Sequence, residues 1–451
     1  MSSARALLTL ARFVGGSSLP AMLLLAAACG ESTPAATPTT IPTPTLAPPS
    51  PTATPIAGTK PGGTEREALE EIQAHTAVVR GLEPLAEVDI RFITREAAEA
   101  YLRQELEEDA GTQLAEAEPV YRLLGLISPG DDLMELELGL VTSQVMGFYD
   151  SDEEAMFLPG QDPKLDTLGI IALSHEFIHA LQDQHFDLDA LLEEVEDDGD
   201  WDAQLALTAL VEGDATLAEM EYVRRFMSLA DLLEIDFAEV GRAMAELDDF
   251  PQGLQQELAF PYEAGVGFAS ALFDEGGWDA IDNAFDAPPT TTEQILHPEK
   301  YLAGEARHEV ALPDLGPELG EGWRLDASNT LGEFLLSNHL SMQLSHSEAA
   351  SAAAGWAGDR WALYSDGAAG ELLLLVVEWD AAAELNEFFA AYLSWLDARS
   401  GGTLHPLGGD SALWEGERES IYVSQHGGRA AIIVSTDGEA IEQARQVLQL
   451  P

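Results

Sequence analysis

Cysteine and basic residues are the two things that this sequence has least of. Cys29 is the single cysteine in 451 residues, so no disulfide can form within the chain. Lysine and arginine together number 21 against 80 aspartates and glutamates, which gives a formal net charge of −59. A surface of this sign repels nucleic acid and anionic lipid headgroups, so we expect neither as a partner. The charge fits a salty or acidic habitat, or simply a need for high solubility.

The N-terminal region also lacks an apolar run long enough to span a bilayer. Residues 1–28 instead contain two arginines, a short apolar stretch and small residues before Cys29, which together predict an export signal. Ala26-Ala27-Ala28-Cys29 resembles the lipobox of bacterial lipoproteins, in which the cysteine is lipidated and becomes the new N-terminus. A plain signal peptide with an incidental cysteine is the alternative. Residues 29–63 are dominated by Pro, Thr and Ala, and they predict an extended tether to the membrane.

The motif with the clearest chemistry is Ser174-His175-Glu176-Phe177-Ile178-His179, which reads HExxH. On a helix, the two histidines lie one turn apart on one face, where both imidazoles can reach one metal ion. Glu176 lies beside them and can accept a proton from a water molecule that attacks a carbonyl. Apolar residues recur at helical spacing, so we predict a helix from about residue 164 to residue 184.

A catalytic zinc site usually has three protein ligands and one open position, so the motif needs a third ligand. Glu212 lies within the apolar run of the next predicted helix, residues 202–226, where an unpaired carboxylate is costly. Gly213 follows it and would let that helix approach a neighbour closely. We therefore predict a zinc ion bound by His175, His179 and Glu212.

His185 is the alternative third ligand, because His175, His179 and His185 have the spacing of metzincins. A glycine lets the chain turn in that family, whereas Gln182 occupies the place here. On an unbroken helix, His185 lies about 240° round from His179 and cannot reach the same ion. Asp183 and Asp214 are candidates to orient the imidazoles, although both could equally be solvated surface charges.

At this point the chain resembles a known family. HExxH followed by a glutamate on a later helix is similar to the gluzincin metallopeptidases, which include thermolysin. The string from His175 to Phe186, with the later Glu-Gly-Asp-Ala run, resembles bacterial extracytoplasmic HExxH proteins. The resemblance covers roughly residues 140–300 and implies zinc ligands His175, His179 and Glu212, with Glu176 as the general base. One departure is Thr216, which stands where thermolysin-like enzymes often place an aspartate.

Peptide hydrolysis also needs a donor for the developing oxyanion, commonly a tyrosine or histidine beside the metal. Tyr262, near the start of a predicted helix that ends at Phe273, is one candidate. His297, which is followed by a proline, is the other. A core tyrosine and a loop histidine are the structural alternatives for these two residues.

The predicted fold is α+β. We expect a mainly helical metallopeptidase domain over residues 64–317, with a small sheet that contains a strand at 88–93 and a hairpin formed by 141–149 and 155–158. From about residue 318 we expect an α+β domain in which the order strand, strand, helix occurs twice. Its predicted elements are strands 361–364 and 372–379 with helix 381–396, then strands 421–424 and 430–434 with helix 438–448, preceded by a helix at 328–341.

These features together predict a zinc metallopeptidase that acts on peptide or protein substrates outside the cytoplasm and is anchored through lipidated Cys29. Two alternatives stay open at this point. The protein could be an inactive zinc-binding or cell-surface interaction lipoprotein, or an amidase that acts on cell-wall material.

Overall fold

The structure is a computed structural model that describes residues 58–107, 111–144, 147–151, 153–159 and 165–451. The predicted export signal, Cys29 and most of the predicted tether lie outside the described residues. Near the start of the described residues, the backbone of Thr59 exchanges two hydrogen bonds of 2.8 and 3.0 Å with that of Phe92. Among the described residues, no helix has both the length and the apolar composition needed to cross a lipid bilayer.

The described residues from 58 to 319 are mostly helical. Long helices carry most of the buried apolar side chains, and shorter ones connect them. In chain order the helices are α1 (Gly63–Arg80), α2 (Arg95–Glu105), α3 (Gly111–Leu124), α4 (Leu133–Gln144), α5 (Thr167–Phe186), α6 (Leu188–Asp198), α7 (Trp201–Phe226), α8 (Leu229–Leu232), α9 (Phe237–Leu247), α10 (Gln252–Gly276), α11 (Trp278–Asp286), α12 (Thr292–Leu296), α13 (Pro298–Ala303) and α14 (Gly316–Leu319).

A small sheet lies beside these helices. Its strands are β1 (Asp89–Ile93), β2 (Phe148–Asp150) and β3 (Ala155–Pro159), in the order β1-β3-β2. The predicted hairpin exists, because β2 pairs antiparallel to β3. Its first strand is much shorter than predicted, since residues 141–144 belong to helix α4. The buried residues Leu133, Glu137, Leu140 and Val141 follow helical spacing, and this periodicity outweighs the β preference of Val141 and Thr142.

Helix α5 carries the HExxH motif through the middle of the protein. Its N-terminus is capped by Asp166, whose side chain accepts a hydrogen bond of 3.0 Å from the Gly169 amide. Every residue from 171 to 182 is buried, so neighbouring elements surround the helix on all sides. The observed bounds agree with the predicted helix to within three residues at each end.

Helix α7 carries Glu212 and packs closely against α10. A Cβ atom built on Gly213 would lie 2.2 Å from the carbonyl oxygen of Gly265, and one built on Gly265 would lie 2.2 Å from that of Ala209. Only glycines allow the two backbones to approach this closely. Helix α10 begins ten residues before Tyr262, so the prediction that a helix opens near that residue was wrong.

The segment between α5 and α7 is rich in acidic residues, yet it is helical. Residues 188–198 form helix α6, in which buried Leu188 and Leu192 lie one turn apart and pack towards α7. Glu193 and Glu194 are exposed on this amphipathic helix, and the many acidic residues of the segment made its apolar stripe difficult to recognise in the sequence.

The C-terminal region is built on a seven-stranded antiparallel sheet. The strands lie in the order β4-β5-β6-β10-β9-β8-β7. They are β4 (Arg324–Asn329), β5 (Trp356–Ser365), β6 (Glu371–Trp379), β7 (Gly402–Gly408), β8 (Ser411–Gly416), β9 (Ser420–His426) and β10 (Arg429–Ser435), and the helices of the region are α15 (Gly332–Ser341), α16 (His346–Ala353), α17 (Ala382–Ala398) and α18 (Gly438–Leu448).

Both predicted strand-strand-helix units are present in this sheet, as β5-β6-α17 and β9-β10-α18. Strands β4, β7 and β8 were not predicted, and the predicted helix at 328–341 begins at Gly332, because residues 328 and 329 end strand β4. Helices α17 and α18 lie on opposite faces of the sheet. Trp361 and Leu363 face the core that contains α17, whereas Ala362 and Tyr364 face the core that contains α18.

One hydrophobic core crosses the predicted domain boundary at residues 317 and 318. The sheet face that is covered by α17 shares a core with helices α2, α3 and α4. The ring centroid of Trp201, the first residue of α7, is 4.9 Å from that of Trp361 in β5. The side chain of Asn329 in β4 also accepts a hydrogen bond of 3.1 Å from the Trp201 amide. The C-terminal region therefore supports the start of the helix that carries Glu212.

Candidate metal centre

Three donor atoms from α5 and α7 converge at one point in the interior. His175 Nε2 lies 3.0 Å from His179 Nε2 and 3.1 Å from Glu212 Oε2. His179 Nε2 lies 3.5 Å from the same carboxylate oxygen. All three side chains are buried. The structure thus brings together the three residues that the sequence singled out as metal ligands.

The donor set fits a zinc ion. A tetrahedral zinc with bonds of about 2.0–2.1 Å holds its ligand atoms roughly 3.3 Å apart, and the three observed separations of 3.0, 3.1 and 3.5 Å bracket that value. Two imidazole nitrogens and one carboxylate oxygen leave a fourth position open, as in catalytic zinc sites. The other oxygen of Glu212, Oε1, is buried without a hydrogen-bond partner among the described residues. A cation at this point would compensate that orphaned atom.

The charges of the ligands also suit a cation. Burial opposes ionisation of Glu212, but the imidazoles of His179 and His175 outweigh it and lower the pKa of Glu212 to about 2. Burial alone would lower the pKa of His175, but Glu212 and Glu219 outweigh it and raise that pKa. A metal ion binds the neutral form of an imidazole, so it would compete with a proton for this nitrogen.

Glu176 lies next to these candidate ligands, and one of its carboxylate oxygens is held by strand β2. Its Oε2 accepts a hydrogen bond of 2.9 Å from the backbone N–H of Tyr149 in strand β2. Its Oε1 is buried and has no hydrogen-bond partner within the described part of the chain. Burial raises the pKa of Glu176 to about 7, although the nearby imidazoles act in the opposite direction. A carboxyl with this pKa can both accept and return a proton near neutral pH.

The alternative third ligand, His185, does not belong to the site. Its Nε2 lies 2.8 Å from the backbone oxygen of Glu83 near the surface. Asp183 Oδ2 accepts a hydrogen bond of 2.9 Å from the Tyr149 hydroxyl. Asp214 contacts Gln182 at 2.8 Å, so it is one residue removed from the nearest histidine.

Two residues that contact the imidazoles were not identified from the sequence. Gln182 Oε1 lies 2.8 Å from His179 Nδ1, and Glu219 Oε2 lies 3.2 Å from His175 Nδ1. The second contact is within ion-pair distance but does not have the geometry of a hydrogen bond, and both oxygens of Glu219 lack such a partner among the described residues. The signals were present, since Gln182 is one turn after His179 and Glu219 lies two turns after Glu212 in an apolar stretch.

The two candidate oxyanion donors differ in their surroundings. Tyr262 is buried, and its ring centroid lies 6.2 Å from that of His175. His297 Nε2 instead lies 3.0 Å from Glu333 Oε1 in helix α15. The hydrogen bond to Glu333 also raises the pKa of His297. Of the two, Tyr262 is the residue that has a contact with a metal ligand.

A second group of carboxylates resembles a metal site but already has a cation. Glu293, Glu305 and Asp380 bring oxygen atoms close together. The ammonium group of Lys300 lies 2.7 Å from Glu293, 2.7 Å from Glu305 and 2.6 Å from Asp380. Because this ammonium group already lies among the three carboxylates, we assign the cluster a structural role that links α13 to the end of strand β6.

Comparisons with known proteins identify only the C-terminal region. A family model described as a domain of unknown function (DUF8575) matches residues 323–445, which begin one residue before β4 and end within α18. No curated protein and no solved structure matches the chain. The matched residues do not include the three candidate metal ligands, so the support for a role of these ligands is their geometry and chemistry.

Proposed function

We propose that this protein is a zinc-dependent peptidase of the gluzincin type that acts outside the cytoplasm. The observation that supports the proposal most directly is the meeting of His175, His179 and Glu212 at one point, with the buried carboxyl of Glu176 beside them. A structural zinc site would be closed by a fourth protein ligand, whereas the group found among the described residues has three. An open position next to a carboxyl with a pKa near neutrality is the arrangement that hydrolysis requires.

Each residue of the site has a separate role in the proposed reaction. A bound zinc ion supplies a Lewis acid that polarises a peptide carbonyl and a water molecule. Glu176 accepts the proton of the attacking water at Oε1, because Oε2 is engaged by the Tyr149 amide. The same carboxyl then donates that proton to the nitrogen of the leaving amine. Tyr262 is the proposed donor to the developing oxyanion.

The proposal is tested by measuring the metal content and the hydrolytic activity of the wild type and three variants. We expect the purified wild type to contain about one zinc per chain and to cleave an unfolded protein substrate in a chelator-sensitive manner. Glu176→Gln should keep the zinc and lose the cleavage, because it removes the proton acceptor and none of the ligands. Glu212→Gln should lose both, and His185→Ala, with its imidazole on the Glu83 carbonyl, should lose neither.

Three results would contradict this assignment in different ways. Zinc in a wild-type protein that cleaves neither peptides nor unfolded proteins would indicate a binding protein, and cleavage of cell-wall fragments alone would indicate an amidase. Full zinc occupancy after Glu212→Gln would show that another residue supplies the third ligand.

We propose an extracytoplasmic, lipid-anchored location from the sequence of residues 1–29. Lipidation of Cys29 would attach the chain to a membrane, and residues 30–58 would then separate the folded part from its surface. Metabolic labelling with a fatty acid should mark the wild type, and Cys29→Ser should abolish the label and release the protein from the membrane fraction. An unlabelled wild type found in the medium would instead favour a plain export signal.

A further inference from the structure

The side-chain amide of Gln182 can point in only one direction. Its Nε2 lies 2.9 Å from the backbone oxygen of Val211 and 2.8 Å from Asp214 Oδ2. A carbonyl oxygen and a carboxylate oxygen accept hydrogen bonds and cannot donate them. The nitrogen of Gln182 must therefore face these two atoms, and its oxygen must face His179 Nδ1 at 2.8 Å.

The orientation of Gln182 decides which nitrogen of His179 carries hydrogen. An amide oxygen only accepts hydrogen bonds, so the contact at 2.8 Å requires an N–H at Nδ1 of the imidazole. In the neutral ring the lone pair then remains at Nε2, the atom that meets His175 and Glu212. A partner on the far nitrogen commonly fixes the tautomer of a metal-binding histidine in this way.

Arg80 extends the chain of contacts to helix α1. Its guanidinium is fully buried, and its Nε donates a hydrogen bond of 2.7 Å to Asp214 Oδ1. Its Nη2 donates one of 2.5 Å to Asp282, and the group lies over the ring of Trp278 at 4.7 Å. Because Arg80 donates to Oδ1 of Asp214, the other oxygen, Oδ2, is available to accept the hydrogen bond from Gln182. Burial of a guanidinium group costs free energy unless its charged and hydrogen-bonding partners compensate for the lost water.

We propose that Arg80, Asp214 and Gln182 form a positioning chain that holds the Nδ1–H tautomer of His179 and so keeps its Nε2 available to the metal. The inference rests on the proposed function only in its assumption of metal binding. Arg80, Asp214 and Gln182 take no part in any step of hydrolysis. The positioning chain also links the site to α1, the first described helix of the chain.

The variant that tests the chain is Asp214→Asn. Arg80 would retain its hydrogen bond to the oxygen of the new amide, so the amide nitrogen would face Gln182 and oppose its Nε2. Gln182 would then either turn its oxygen towards Asn and offer its nitrogen to His179, or keep Nε2 on the Val211 oxygen against the opposing amide nitrogen. The first arrangement favours a hydrogen on Nε2 of His179 instead of Nδ1, and the second weakens the Gln182 contact that holds the hydrogen on Nδ1. We expect the zinc dissociation constant to rise by about tenfold to a hundredfold.

Two further variants separate positioning from a general loss of stability. Asp282→Asn removes the other charged partner of Arg80 and leaves Gln182 untouched, so we expect its zinc affinity to stay close to that of the wild type. The double variant Gln182→Glu/Asp214→Asn restores an acceptor next to His179 Nδ1, so it should recover most of the lost affinity. The hydrogen on each ring nitrogen is read by nitrogen-15 NMR of histidine-labelled protein, with zinc and without it.

Zinc affinity unchanged in Asp214→Asn, or reduced equally in Asp282→Asn, would overturn the inference. So would a hydrogen on Nε2 of neutral His179 in the wild type. None of these measurements uses a substrate, so a protein that holds this tautomer and cleaves no peptide would contradict the proposed function alone. A protein that binds no zinc would contradict the role towards the metal, while the NMR measurement would still report the tautomer.

Discussion

Glu212 and Glu219 lie two turns apart on α7, yet they approach opposite nitrogens of one imidazole. Glu212 Oε2 is 3.1 Å from His175 Nε2, and Glu219 Oε2 is 3.2 Å from His175 Nδ1. A carboxylate on the far nitrogen orients a ligand ring and increases its basicity. Glu219 thus lies at ion-pair distance from the nitrogen of His175 that faces away from the candidate metal position.

Tyr262→Phe tests the proposed donor to the oxyanion. The ring of Tyr262 lies beside that of His175, whereas His297 contacts Glu333. Loss of one oxyanion donor typically lowers kcat by about 100-fold to 1000-fold, and we expect a fall of this order with KM and zinc content little changed. His297→Ala serves as the control and should change kcat far less. Wild-type turnover in Tyr262→Phe would remove Tyr262 from the mechanism.

The ligand residues were predictable from the sequence because their spacing is local. His175 and His179 are separated by one helical turn, so the helix alone brings them together. Glu212 was recognisable because an apolar helix rarely carries an unpaired carboxylate. Gln182 was not recognised, since its role depends on Val211 and Asp214, which only the packing of α5 against α7 brings within reach.

The contact between α7 and α10 depends on two glycines, and Gly213→Ala tests it. A Cβ atom at this position would lie 2.2 Å from the Gly265 oxygen, so the helices must move apart. We expect a loss of about 1–3 kcal/mol in the free energy of unfolding, and weaker zinc binding because Glu212 is the adjacent residue. Gly267→Ala on α10 is the control, because its Cβ would meet nothing within 4 Å. Equal effects of the two substitutions would contradict this explanation.

A pair of buried carboxyls between α4 and α10 predicts how stability depends on pH. Burial raises the pKa of Glu257 to about 7, and burial and the charge of Glu257 raise that of Glu137 to about 8. In the unfolded chain both titrate near about 4.3. Between these values the folded protein retains protons that the unfolded chain releases. The free energy of unfolding should therefore fall as pH rises from about 5 to about 8.

The variant Glu257→Gln should make this dependence weaker. A glutamine can still accept the hydrogen bond from Tyr121, which lies 2.7 Å from Glu257 Oε1, and it has no proton to lose. We expect about 1–3 kcal/mol more stability than the wild type at pH 8, measured by chemical denaturation across the pH range. Glu263→Gln, an exposed substitution on the same helix, should follow the wild-type curve. A Glu257→Gln curve parallel to the wild type would contradict the assignment.

At the scale of elements, the long periodic helices were predictable and the short or edge elements were not. Helices α5 and α7 repeat their apolar pattern over several turns, so their bounds followed from the sequence. Strand β7 is mostly exposed, and it lies at the sheet edge, so it lacks the alternation of buried and exposed residues that marks a strand. We predicted a strand that begins at residue 141 because residues 141–144 have a local β preference. In the structure they are helical, because the burial of one helical face stabilises the chain more than that preference does.

The charge of the whole molecule predicts a strong response to salt. With 80 acidic and 21 basic residues, most carboxylates have no cationic partner and repel one another. The screening length falls from about 30 Å at 0.01 M to about 3 Å at 1 M ionic strength. The melting temperature should therefore rise over this range, and equally with sodium chloride and choline chloride. A constant melting temperature, or a gain with sodium alone, would contradict general screening.

The core that crosses residues 317 and 318 predicts that the two regions unfold together. Calorimetry of the wild type should show one transition, because separating the regions would expose the face of the sheet that packs on the N-terminal helices. Trp361→Ala removes the ring that contacts Trp201, so it should lower that single transition at a cost of about 3–5 kcal/mol. Leu407→Ala, at a half-exposed position of β7, is the control and should have little effect. Two transitions, with only the second displaced by Trp361→Ala, would show that the predicted domains fold independently and that the start of α7 does not depend on the sheet.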